Sequence, residues 1–145
     1  MKEQFKKQLE NYLVQHNPEL IISLQHRALD QYMEEKLARH LPQFNAFIVN
    51  GKACDLISRV VMKVLTADLR PSKYDYLHNL LKEEFTEDYL RLRENGTLTQ
   101  EIVQLIALCT PIFSSLHFSE AKLNDKLIRH AICWQIDQYL HTTKP

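Results

Sequence analysis

Glycine is nearly missing: the 145 residues contain two. Phosphate-cradling loops and dinucleotide turns need several glycines in close sequence so that the backbone can approach the ligand. Gly51 and Gly96 each stand alone behind an asparagine, a turn signal. A P-loop and a Rossmann fingerprint are therefore excluded. Excess charge of one sign is missing as well, with 18 basic residues against 18 acidic ones. That balance gives no nucleic-acid arm and no acidic tail, and little net repulsion to keep copies of the chain apart. Long apolar runs are also lacking. The densest, Ile102 to Cys109, is broken by Gln104 and is too short to span a bilayer. The charged start Met1-Lys2-Glu3-Gln4-Phe5-Lys6-Lys7 has no apolar stretch behind it, so no secretory signal is expected. Cysteines are few and odd in number. Cys54, Cys109 and Cys133 fall in apolar helical patterns, as expected for reduced, buried thiols of a cytoplasmic protein.

What is present is helical periodicity. The chain suits one domain over residues 1–145, with possible lobes at 1–70 and 72–145, and a chain of this length buries about 70% of its unfolded surface without staples. A first helix is predicted over Lys2 to His16, with Phe5, Leu9, Tyr12 and Leu13 as its apolar stripe. Asn17-Pro18-Glu19 restarts the chain: Asn17 as cap, Pro18 at the first helical position, Glu19 at the positive helix end. The second helix runs to about His40, apolar on more than one face. A third is predicted over Lys52 to Ala67, with Leu56, Ile57, Val60, Val61, Val64 and Leu65 opposite Asp55, Arg59, Lys63 and Thr66. Between these two, Pro42 to Gly51 reads as a short helix or apolar loop, with a hairpin turning at Asn50-Gly51 as the alternative.

The best-marked joint is Arg70-Pro71-Ser72-Lys73-Tyr74-Asp75. Pro71 biases Arg70 away from helical dihedrals, Ser72 can cap, and Asp75 occupies the reciprocal position of a capping box. The fourth helix follows, from Ser72 to Phe85, with Tyr74, Leu77, Leu81 and Phe85 on one face and Leu80 beside them. Glu87 to Arg93 adds a turn or two. Thr99 is the expected cap of a fifth, buried helix that Pro111 should kink or end near Thr110. The last helix, from Ser119 or Leu123 to Leu140, presents Leu127, Ile128, Ala131, Ile132, Ile136, Tyr139 and Leu140 inward, with Trp134 at the margin. The fold class is all-α, a multihelical bundle of about six helices.

Chemistry-bearing residues are sparse. His130 and Cys133 share a helix face at a spacing zinc ligands use, but two further ligands are wanting and no Cys-x-x-Cys pair exists. Asp75 with His78, and Asp137 with His141, read as surface acid–histidine pairs. Arg91 and Arg93 beside Tyr89 could meet nucleic acid, but Glu87, Asp88 and Glu94 cancel their field. Neither a metal, a cofactor nor a catalytic group is expected. The binding candidate is the apolar connection Phe44, Phe47, Ile48 and Val49, which must pack either on the protein's own core or on a partner.

Asn17-Pro18-Glu19 after a short first helix, Val64-Leu65, Leu69, Ser72-Lys73-Tyr74-Asp75, Leu77, Asn79, Leu81 and Glu84-Phe85 together resemble a family. It is a domain of unknown function found in Bacteroides-type bacteria, often encoded on conjugative or other mobile elements. Where the family tends to carry a glycine in the turn before this block and an aromatic residue, this chain has Pro71. The resemblance implies an all-helical fold with no established activity, so it assigns no site residues. The resulting expectation is a non-catalytic cytoplasmic interaction or accessory protein of a mobile element, with a protein partner or self-association and no membrane. A nucleic-acid-associated regulator is the alternative, and a metal-dependent enzyme comes third.

Overall fold

The computed structural model describes residues 2–48 and 54–141. Among them lie seven α-helices, three short 3-10 helices and no strand, so the chain is all-helical with more helices than expected. It divides into two compact units, Met1–Arg70 and Pro71–Pro145.

In the first unit, α1 (Lys2–His16) and α2 (Pro18–His40) form a helical hairpin. Phe5, Leu9 and Leu13 recur at helical spacing and are fully buried, against Met33, Leu37 and Leu41 from the returning chain. Each such side chain contributes roughly 2 kcal/mol by leaving water. On the outside of the hairpin, Lys6 reaches both Glu34 and Asp30. Asn17 does not cap α2 through its side chain. Its buried amide instead donates to Glu19 Oε1 at 3.2 Å, and Pro18 opens the helix as expected. Gln25 interrupts α2 with φ of 51°, a left-handed conformation that costs a non-glycine residue roughly 1–2 kcal/mol.

A 3-10 helix, Leu41–Phe47, occupies the stretch where a short helix or loop was expected, and the Asn50-Gly51 turn lies outside the described residues. Helix α3 is shorter than expected, Asp55–Leu65, because Thr66 leaves the helix and turns its hydroxyl back to the Met62 carbonyl at 2.8 Å. That bond also lets Thr66 be buried, not solvent-facing. Cys54 precedes the helix and is exposed, unlike the buried thiol expected there, while Cys109 is buried and Cys133 half-buried.

The second unit begins at the marked joint. Ser72 caps α4 (Lys73–Glu84) by accepting the Asp75 amide at 3.0 Å. Tyr76, outside the expected stripe, is buried with Leu77, Leu80 and Leu81, its ring meeting Phe113 and Phe118 edge-on. Helix α5 (Thr86–Glu94) is separate, and closes where Gly96, at φ of 73°, lets the Thr97 amide return to the Leu92 carbonyl. Thr97, not Thr99, stands at the start of α6 (Leu98–Ser115), and the Thr99 hydroxyl lies 3.2 Å from that of Tyr74.

Pro111 does not stop α6. Its missing amide frees the Ala107 carbonyl, and both residues are on the exposed face, where water satisfies that group. The helix ends four residues later. His117 adopts φ of 53°, the Phe118 amide bonds the Phe113 carbonyl, and the two rings pack at 4.7 Å. A 3-10 turn, Glu120–Lys122, leads to α7 (Lys126–His141), which Asp125 caps by accepting the Ile128 amide at 3.0 Å. Ile128, Ile132 and Ile136 are its buried row, against Ile102, Leu105 and Phe113. Leu127, expected inside, is 65% exposed, and Trp134 is 62% exposed.

Candidate interaction surface

The apolar arc of α3 is wider than the core beneath it. Val61 and Leu65 are fully buried and Ile57 packs half-buried beside them. Leu56 and Val60, one helical turn apart, face outward at 66% and 40% exposure. The 3-10 helix touching α3 adds Phe47, 58% exposed. Of the four connection residues read as a binding candidate, Phe44 turns toward the core cluster of Phe5, Leu37 and Val61. Phe47 stays outside, Ile48 is half-buried in extended backbone, and Val49 lies outside the described residues. Sequence reasoning placed Leu56 and Val60 in the core. The usable signal was the number of apolar positions on one short helix, too many for a single buried stripe.

The second unit carries a cleft of about 430 Å³ whose polar lining includes Asp75, Glu83, Glu120, Asn79, Asn124 and Arg129. Its one guanidinium is already committed. Arg129 donates to Glu84 at 2.7 Å and to Glu83 at 3.0 Å, and these bonds hold it firmly protonated. Ser72, also on the wall, serves the helix start. Tyr76 lines the floor, and its buried hydroxyl has no hydrogen-bond partner among the described residues. Burial raises its pKa above the usual phenol value. The lining has no nucleophile set beside an oriented base, as acyl or phosphoryl transfer would require.

The other sequence candidates fall apart in space. His130 is exposed while Cys133 is half-buried, and burial raises the Cys133 thiol pKa. Among the described residues no group of three His, Cys, Asp or Glu side chains is placed to hold a metal ion. His78 meets the rings of Tyr74 and Tyr89. His141 does engage Asp137, Nδ1 to Oδ1 at 2.6 Å, and also Asp88, Nε2 to Oδ2 at 2.9 Å, from α5. Arg91 is held by Asp88 at 2.9 Å, and the Arg93 guanidinium lies over the Tyr89 ring. Among the described residues no helix is long and apolar enough to cross a membrane.

These features define an all-helical protein with an uncovered apolar surface on each of its two units. The chain belongs to the family described as Domain of unknown function (DUF1896), whose sequence model matches residues 3–127. No curated protein and no solved structure matches it.

Proposed function

We propose that this is a non-catalytic helical interaction protein that docks another protein on the outer face of α3. One observation carries the reading: Leu56 and Val60 stand exposed one turn apart on a helix whose neighbouring positions Val61 and Leu65 are fully buried. Exposed apolar side chains grouped in this way on a folded helix are what a partner covers, because leaving them in water costs about 25 cal/mol for each Å². Phe47 and Ile48 enlarge the face, and exposed Asp55, Arg59 and Lys63 supply a mixed-charge rim. A cytoplasmic setting is supported by three free thiols. Service to a mobile genetic element of Bacteroides-type bacteria is supported by the sequence resemblance alone.

The test is purification of the tagged protein from its native host beside a Leu56→Asp, Val60→Asp variant whose helicity and melting match wild type. A defined protein recovered in near-stoichiometric amount by wild type and lost from the variant is the expected result. Equal recovery by both, or recovery of DNA alone, overturns the reading.

A further inference from the structure

Helix α7 carries a second apolar row, on the side opposite its buried isoleucines. Leu127 and Trp134 are seven residues apart, two helical turns, so they stand in line about 10 Å from each other. Both are largely exposed, and Leu123, also exposed, adds apolar surface just before the helix. Flanking this row is a charge pattern. Lys126 and Asp137 are eleven residues apart, close to three full turns, and therefore share one flank of the helix at its opposite ends. Lys126 has no ion-pair partner among the described residues. Asp137 spends Oδ1 on His141, and its other oxygen accepts no bond there.

We propose that this face is a self-association seam, occupied by the α7 of a second copy running antiparallel. A two-fold axis placed midway between Leu127 and Trp134 sets Leu127 of each copy on Trp134 of the other. In an antiparallel pair, like flanks meet across the seam. Lys126 of one copy then faces Asp137 of its mate, twice, with an offset of about 3 Å along the helix, within the reach of a lysine. A parallel pair would instead set Lys126 against Lys126. Antiparallel packing also opposes the two helix dipoles favourably, and the zero formal net charge of the chain offers little resistance to association. His130 of each copy lies near the axis. The apolar row is short of the roughly 1,200 Å² or more that stable interfaces bury, so the expected affinity is micromolar. The α3 face and the partner read for it play no part in this argument.

Trp134 is the only tryptophan in the chain and reports on the seam directly. Sedimentation velocity on the full chain from about 1 to 300 μM should show a monomer–dimer equilibrium, with the emission of Trp134 shifting to shorter wavelength as the dimer forms. Trp134→Ala should be monomeric throughout, with unchanged helical circular dichroism. Lys126→Asp should weaken association about tenfold, and Lys126→Asp combined with Asp137→Lys should restore it. A monomer at 300 μM, an emission maximum indifferent to concentration, a dimer unaffected by Trp134→Ala, or a charge swap that fails to restore association each overturns the proposal.

Discussion

Lys36 is buried to within 5% of its side-chain surface, yet its ammonium is ion-paired with Asp68 at 2.7 Å, tying α2 to the turn after α3. The stem lies over the Tyr32 ring, 5.4 Å from its centre. Removing the carboxylate should strand a buried charge, whereas removing the lysine replaces it with apolar volume. Asp68→Ala is expected to cost about 1–2 kcal/mol and Lys36→Met close to nothing, allowing for the exposure of Asp68. Urea melts of both variants check the asymmetry, and equal losses would refute it.

His117 holds a left-handed conformation that glycine adopts freely, and it is exposed, so its ring contributes little packing. His117→Gly should therefore raise stability by about 1 kcal/mol, and His117→Val should lower it. Thermal melts that reverse this order would show that the Phe113–Phe118 closure does not depend on that backbone state.

Ser72 accepts the Asp75 amide at the start of α4. Ser72→Ala is expected to lose about 1 kcal/mol and Ser72→Asp to recover most of it, since Asp accepts the same bond and adds negative charge at the positive helix end. Denaturant unfolding that finds alanine and serine equal would remove the capping role.

The pKa of His141 is raised by its bond to Asp137 and then by that to Asp88. A raised folded value stabilises the protein fully below the unfolded pKa of about 6.5, and the contribution is lost as pH climbs through the folded value. Melting temperature should fall with rising pH across the neutral range more steeply in wild type than in His141→Gln. Proton NMR should place the His141 titration above that of a free histidine, and Asp137→Asn should bring it down. A titration at or below the ordinary value contradicts the geometry.

Several of these features were legible before any coordinates. Pro18 and the Ser72 cap act through chemistry within three residues of themselves, and local chemistry is what a sequence states directly. Thr97 and Thr99 illustrate the limit. Both can cap, and the choice between them falls to α4, which supplies Tyr74 beside Thr99. Pro111 misled for a related reason, since its cost depends on whether the carbonyl it orphans faces solvent. The exposure of Leu56, Val60 and Leu127 was hidden because periodicity reveals which residues are apolar, not which of them another helix covers. Tyr76 escaped because its neighbours Phe113 and Phe118 lie more than thirty-five residues away.

Cys109 is wholly buried in α6, and that burial pushes its thiol up to about 12. The thiolate is the species that alkylating reagents attack. At neutral pH the side chain is thus shielded twice, by lack of access and by lack of ionisation. Its labelling rate becomes a clock for the opening of the second unit, while exposed Cys54 reacts at once and serves as an internal standard in the same tube.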